Sequence, residues 1–383
     1  MQFINFDIDG FLRDYWQKKP LLIKNPWMSW SNPLDPDELA GLACEEDVES
    51  RLITQSRDRW KAEHGPLPEA RFSKLGKKPW TLLVQAVDHH VPDVAALIAP
   101  FRFIPNWRID DVMVSYATDE GGVGPHFDQY DVFLIQGSGK RRWQVGGLCD
   151  AATQLLPHDD LRLLAHFEAT DEWVLEPGDM LYVPPRVAHN GVAVGDDCMT
   201  YSVGFRAPSR SELIENWCDD LVGEMQDDDR YEDQNLGTQG NPGEISEDAI
   251  AALHAMVTEA MRDREAFARW FGQYSSKPKY PDMDWQPEQV LQIEDIGGFV
   301  ADDVPLSRNP ASRFSFIRQG EDCVLMFVDG ECFECVKETI ALAEQICAQD
   351  RVSIDPVLGS SESAMGLIMK LYNQGSVAFD TEG

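Results

Sequence analysis

Residues 121–130 read GGVGPHFDQY and place an imidazole, His126, two positions before a carboxylate, Asp128, just after a glycine-rich bend. On an extended strand, residues i and i+2 project from one face, so both groups can close on one metal ion without backbone strain. A third ligand is offered by His189, in EPGDMLYVPPRVAHNG. Two His and one carboxylate leave positions open for oxygen chemistry at non-haem Fe(II). The spacing alone is not diagnostic, because the chain has eight His and a second H-x-D at His158 and Asp160. That pair lies in QLLPHDDLRLLAHF, which reads as a loop running into a short helix, where i and i+2 diverge. His126 instead precedes VFLI and a further strand-like run, RRWQV.

Arg141 follows Asp128 by thirteen positions, across a G-S-G turn, in Lys140-Arg141-Arg142-Trp143. Alternation puts Arg141 and Trp143 on one face of this strand and Lys140 and Arg142 on the other. One face must point into a barrel, and an inward Arg needs a carboxylate to justify its burial. An enzyme whose iron is chelated by 2-oxoglutarate needs such a group for the distal carboxylate, and Ser115 on the preceding strand offers a hydroxyl. The alternative for this cluster is a basic surface strand.

These residues require strands to hold them. From Arg108 the pattern has period two: in DDVMVSYA, Val112, Val114 and Tyr116 face one way, Met113 and Ser115 the other. Short strands follow, HFDQYDVFLIQ, KRRWQVG, EWVL, MLYVPP, NGVAV and CMTYSVGFR, separated by Gly, Pro and Asp turns. Many such strands indicate an all-β sandwich or barrel. A two-sheet jelly roll of the cupin type places His126, Asp128 and His189 in one mouth. Upstream, FLRDYWQ reads as a short helix and PLLI as a buried strand. Asp35, Pro36 and Glu38 make a capping box whose helix is expected to run to about Arg51. Residues 54–78 read as a hairpin or long loop. WTLLVQAVDHHVPDVAALIAPF has helical spacing broken at Pro92, with His89 and His90 as a C-terminal helix feature rather than ligands.

Beyond the barrel, Ser209 and Glu212 open a helix with Leu213, Trp217, Leu221 and Met225 along one stripe. Residues 227–248 are polar, acidic and Gly-containing, which fits a flexible connection. A helix over 247–271 follows, with Ile250, Leu253, Val257, Met261, Phe267 and Trp270 on its apolar side. These helices either pack back on the barrel or form a dimer interface, and the dimer is the sharper reading. The remainder, a helix near PEQVLQI, strands RFSFI and CVLMFV, a D-G turn and helices ending near Asn373, has a winged-helix layout. From residue 287 onward it holds 6 basic and 17 acidic side chains. A DNA-reading winged helix is basic, so this one reads as a protein-contacting or structural module. Cys332 and Cys335 form a lone C-x-x-C without the four-ligand set of structural zinc, and read as reduced cysteines in a strand.

The whole chain of 383 residues has room for two or three domains. Its net charge of −33 repels a phosphate backbone and disfavours direct nucleic-acid binding, while attracting a basic protein; the bland alternative is that acidity only aids solubility. No apolar run is long enough to span a membrane. The start, MQFINFDIDG, lacks a basic region ahead of an apolar stretch and does not read as a secretory signal. Eight Cys without framework spacing fit a reducing compartment, so the cytoplasm is expected.

The segments GGVGPHFDQYDVFLIQGSGKRRWQVG, EPGDMLYVPPRVAHNG and MTYSVGFRAPS, together with WQKKPLLIK and WRIDDVMVS, resemble the JmjC-type ribosomal oxygenases, and within them the bacterial arginine-hydroxylating branch. The resemblance implies a JmjC/cupin catalytic domain (double-stranded β-helix) over 1–208 with its core at about 100–208. A helical dimerisation region over 209–285 and a winged-helix-like domain over 286–383 would follow. It implies His126, Asp128 and His189 as ligands of Fe(II), Arg141 with Ser115 on the 2-oxoglutarate carboxylate, and O2 as the oxidant. The implied substrate is a basic large-subunit ribosomal protein, number sixteen, hydroxylated at the β-carbon of an Arg; relatives in eukaryotes act on His. Asp119, Glu120, Tyr130 and Asp131 are candidates for contacts at the mouth. Two other classes stay open on the residues alone: a metal cupin performing isomerisation or hydrolysis, and an acidic chaperone for ribosomal proteins.

Overall fold

Among the described residues, nine strands carry the first part of the chain, and their order explains why the chemistry-bearing residues meet. The computed structural model describes residues 1–56, 59–76, 78–226, 229–234 and 236–380. One compact unit holds Met1–Ala207 with Asn309–Ala311; the other holds Pro208–Arg308 and the residues from Ser312 onward. The strands of the first are β1 (Leu21–Ile23), β2 (Ser50–Ser56), β3 (Arg59–His64), β4 (Trp80–Val84), β5 (Ile109–Ala117), β6 (Asp131–Leu148), β7 (Ala169–Leu175), β8 (Met180–Val183) and β9 (Val187–Phe205). Their lateral order is β1-β8-β6-β9-β5-β4-β2-β3, with β7 on β6, and the pairings are antiparallel.

Strands β6 and β9 run 18 and 19 residues, far beyond the usual strand. Each was expected as two short strands. The G-S-G of β6 is a bulge rather than a turn. The register with β9 slips at Gln136/Ser138 and again at Ser138/Lys140, and Gly139 takes φ +61°. An extra residue of this kind bends a strand without ending it. On β9 the matching bend falls at Gly195 and Asp197, with φ +80° and +58°. The two halves of the bent pair then face each other. Val132, Leu134, Leu181 and Val183 from one half pack against Trp143, Val145, Leu175 and Val187 from the other. This is the two-sheet, cupin-type jelly roll that the strand pattern led one to expect.

Alternation gives the larger sheet two unlike faces. Leu82, Val84, Val112, Val114, Phe133, Ile135, Met199, Tyr201, Val203 and Phe205 form the outer face. The helices Ile8–Asp14 and Pro36–Leu42 cover it through Phe11 and Leu39. The Asp35 capping box is present, but its helix stops at Leu42 rather than near Arg51. Acidic residues at 45–47 oppose the negative end of a helix dipole, and the β-forming RLIT that follows joins β2. Part of the expected irregular stretch is the β2–β3 hairpin; residues 57, 58 and 77 lie outside the described set. WTLLV is strand β4, not the start of a helix, because a short run buried on both faces carries no decisive period.

In the second unit, Ser209 and Glu212 cap the helix Arg210–Glu224 as expected. Its stripe is only partly used: Trp217 is buried, but Met225 is exposed. Residues 229–234 and 236–245 of the connection form no helix or strand, and 227, 228 and 235 lie outside the described residues. The single helix expected over 247–271 is two, Glu247–Ala260 and Arg264–Ser276. Asp263 divides them by accepting the amides of Glu265 and Ala266 as an N-cap. Phe267 and Trp270 of the second pack on Trp217, with ring centroids 5.6 and 5.2 Å away. The C-terminal winged helix contains the sheet of Phe314–Arg318, Cys323–Val328 and Glu331–Val336, and the helices Glu338–Ala348 and Glu362–Asn373. The helix expected at PEQVLQI begins only at Ile293, where Gln292 and Asp295 cap it. Cys332 and Cys335 stand on Glu331–Val336, and Cys335 is buried while Cys332 is half-buried. At that spacing strand side chains leave on opposite faces.

Candidate metal centre and cosubstrate pocket

His126 lies in the connection before β6 and is pinned to β9 by reciprocal backbone bonds. Its N–H donates to the His189 carbonyl at 3.0 Å, and the His189 N–H donates back at 2.8 Å. Asp128 follows in irregular backbone, its carbonyl accepting the Arg186 amide at 2.6 Å. The H-x-D pair is therefore not on a continuous strand; a bridge to β9 positions it. Asp128 Oδ2 stands 3.5 Å from His189 Nε2 and 4.0 Å from His126 Nε2. One ligand atom from each of the three residues falls within 4.8 Å of the others, a spacing that can hold one metal ion.

The backbone also selects the tautomers. His126 Nδ1 faces the Gly124 carbonyl at 2.9 Å, and His189 Nδ1 faces the Val187 carbonyl at 3.0 Å. A carbonyl only accepts, so each proton sits on Nδ1 and each Nε2 lone pair is turned to the shared centre. Burial first, then the neighbouring His126, hold the His189 pKa down to about 4 against the pull of the Asp128 carboxylate. The ring is thus in the neutral form that metals require.

Arg141 and Trp143 point inward, and Lys140 and Arg142 outward: Arg141 is 3 % exposed. Its Nε donates to Cys198 Sγ at 3.4 Å, while Nη2 is buried with no hydrogen-bond partner among the described residues. An interior guanidinium with an unused N–H is costly unless an anion meets it. A dicarboxylate fits that requirement. Trp143 continues the wall to the metal centre, its ring 6.0 Å from that of His189. Gly191 permits this, since a Cβ there would lie 2.6 Å from the indole.

Ser115 is buried on the same interior face, its hydroxyl donating to the Thr200 carbonyl at 3.5 Å. Its strand is not adjacent to that of Arg141, because β9 runs between β5 and β6. Sequence reasoning missed Thr81, Gln136, Thr200 and Ser202, all buried. Thr200 Oγ1 donates to Gln136 Oε1 at 3.3 Å, and Gln136 Nε2 donates to the Ser138 carbonyl at 2.8 Å. Alternation through CMTYS carries the signal for Thr200, which falls opposite Met199 and Tyr201 of the outer face, whereas VFLI is apolar on both faces and gives none for Gln136.

Other candidates are placed elsewhere. His158 Nδ1 accepts the amides of Asp160 and Leu161 at 3.0 and 3.1 Å, and its Nε2 meets the Trp60 carbonyl at 3.1 Å. That H-x-D organises a loop. His89 ends the short turn Val87–His89 rather than a long helix, and burial lowers the pKa of His90, contrary to the charge expected there. Of the mouth candidates, Asp131 is fully buried and anchors the start of β6. It accepts from Tyr182 Oη at 2.6 Å, Gln17 Nε2 at 2.9 Å and Arg108 Nη2 at 3.0 Å. Asp119 accepts the Gly195 amide at 2.7 Å at the bend of β9. Glu120 and Tyr130 are exposed.

Residues 96–213 match the JmjC domain family and residues 259–378 the ROXA-like winged helix. The chain is 41% identical over 286 residues to the ribosomal protein uL16 3-hydroxylase of Escherichia coli K12, covering 73% of this chain and 76% of that protein. This chain belongs to the JmjC-type ribosomal oxygenases. Its structure is similar to the X-ray structure of Escherichia coli YcfD, with a TM-score of 0.90 at 34% identity over 99% of this chain and 100% of that one. It is also similar to the YcfD ribosomal oxygenase in complex with cobalt and 2-oxoglutarate, with a TM-score of 0.87 at 34% identity and 99% of each chain covered. The oxygenase is Fe(II)- and 2-oxoglutarate-dependent. The isomerising or hydrolysing cupin and the chaperone are thereby set aside. No helix among the described residues is long and apolar enough to cross a membrane.

Proposed function

We propose that this oxygenase hydroxylates the β-carbon of an arginyl side chain of the large-subunit ribosomal protein uL16. The name of the Escherichia coli relative supports the protein and the position; the net charge of −33 suits a basic partner and disfavours direct contact with nucleic acid. The observation that carries the reading is the pairing of the His126–Asp128–His189 cluster with a buried, incompletely partnered Arg141 in one interior.

In this reading His126, Asp128 and His189 hold Fe(II), while Arg141 and Ser115 hold the distal carboxylate of 2-oxoglutarate. Bound there, the metal with the keto acid and O2 supplies C–H oxidation, with release of succinate and CO2 and entry of one oxygen atom into the side chain. The Nδ1 bonds keep both imidazoles turned to the centre. Arg141 neutralises and orients the keto acid, and Trp143, Val145 and Leu134 keep water from the site. Residues 1–208 form the catalytic domain, 209–285 a helical dimerisation region and 286–383 a winged-helix domain. Ile250, Leu253 and Val257 stand exposed on Glu247–Ala260, as a homodimer contact requires. The cytoplasm, where ribosomal proteins are made, suits the eight free thiols.

The test offers peptides of uL16 carrying Arg, Lys or His at the target position. Gain of one oxygen on the Arg peptide alone is expected, by mass spectrometry with succinate release. Oxidation of the His peptide alone would move the chain to the histidyl branch. Sedimentation of the full chain tests the dimer.

A further inference from the structure

We infer that Thr81 is a further anchor for the distal carboxylate of 2-oxoglutarate, beside Arg141 and Ser115; the inference rests on the Arg141 reading above. Thr81 is 0 % exposed, and its Oγ1 has no hydrogen-bond partner among the described residues. Register shows where that hydroxyl stands. Thr81 of β4 lies opposite Ala117 of β5, and Ala117 lies opposite Cys198 of β9. Arg141 of β6 lies opposite Ala193 of β9 and reaches Cys198 Sγ with its Nε at 3.4 Å. Ala117, Ala193 and Cys198 form one contact cluster. Thr81, Ala117 and Cys198 thus form a row across three strands, and Arg141, in register with Ala193 beyond the bend of β9, reaches the Cys198 end of that row through its Nε.

Thr81 and Arg141 are both donors, and both have a buried polar atom that the fold does not use. A buried hydroxyl without a partner destabilises a protein, whereas Val would fill the same volume without that cost. The Thr is therefore explained by a ligand rather than by folding. A carboxylate has about four lone-pair positions, enough for a guanidinium and a hydroxyl together. Of the neighbouring polar groups, Thr200 is engaged with Gln136 and Gln136 with the Ser138 carbonyl, while Ser115, which meets the carboxylate in the reading above, otherwise donates to the Thr200 carbonyl at 3.5 Å. Thr81 is a fully buried hydroxyl of this wall with no partner among the described residues.

The test is calorimetric titration of the full-length protein loaded with Mn(II), without O2. The ligands are 2-oxoglutarate and 2-oxopentanoate, which has a methyl group in place of the distal carboxylate. Thr81→Val is expected to raise the Kd for 2-oxoglutarate about 10- to 100-fold, leaving 2-oxopentanoate and Mn(II) binding unchanged. Thr81→Ser should restore most of the affinity. Metal-free Thr81→Val should melt at or above the native temperature, since it removes an unsatisfied buried group. Native 2-oxoglutarate affinity in Thr81→Val, or equal weakening towards both keto acids, would overturn the inference. Arg141→Gln separates the two readings. If it weakens 2-oxoglutarate while Thr81→Val does not, Thr81 alone is wrong; if it too binds normally, the pocket assignment fails and this inference with it.

Discussion

The two faces of the large sheet in the first unit are built from alternate residues of the same strands, yet they treat polar groups in opposite ways. On the outer face polar tips are paired: Tyr201 Oη with Asn32 at 2.8 Å, Tyr182 Oη with Asp131 at 2.6 Å, and Trp27 and Trp30 indoles with backbone carbonyls at 2.9 Å. Inside the barrel, Thr81, Arg141 and Trp143 each have a buried donor without a partner among the described residues. The outer face is organised for stability and the inner face for ligands. One period-two pattern therefore encodes both a core and a reaction chamber.

The strongest break of this comparison is removal of a ligand from the inner face. His189→Ala should lower metal affinity by more than the roughly 100-fold that outer-shell changes reach, and abolish succinate release, while circular dichroism stays native. Turnover at the native rate would sink the metal assignment. On the outer face, Phe133→Ala should do the reverse. The ring packs between Phe101 at 4.8 Å and Phe11 at 5.3 Å, so its loss should cost about 3–5 kcal/mol of unfolding free energy. Metal affinity of the folded fraction should be unchanged, and a parallel loss of both would mean that the faces are not separable.

Arg141→Ala probes the inner face without touching the metal. It should raise the KM for 2-oxoglutarate by the equivalent of about 2–5 kcal/mol, with metal binding retained by equilibrium dialysis. Lys at this position should recover part of the loss, because a point charge replaces the planar fork imperfectly. The smallest effect is expected at His158, whose ring braces a loop through two amides. His158→Ala should cost about 1 kcal/mol of stability and leave metal binding intact; loss of metal there would show that the wrong H-x-D was chosen.

What the sequence determined by itself was the local chemistry. The types and spacing of His126, Asp128 and His189, the inward pair Arg141 and Trp143, and the caps at Asp35 and Ser209 follow from adjacent residues and the period of a strand or helix. Tertiary structure alone decided which strands are neighbours. Whether G-S-G turns or bulges, whether WTLLV is strand or helix, and whether Asp131 meets solvent or Arg108 depend on partners 23 or more positions away. The same holds for Thr81, an ordinary Thr in the chain, which becomes a ligand candidate only once β5 and β9 seat it in the row whose far end, Cys198, Arg141 reaches. Periodicity is a property of consecutive dihedrals, whereas an unsatisfied buried donor is a property of everything packed around it.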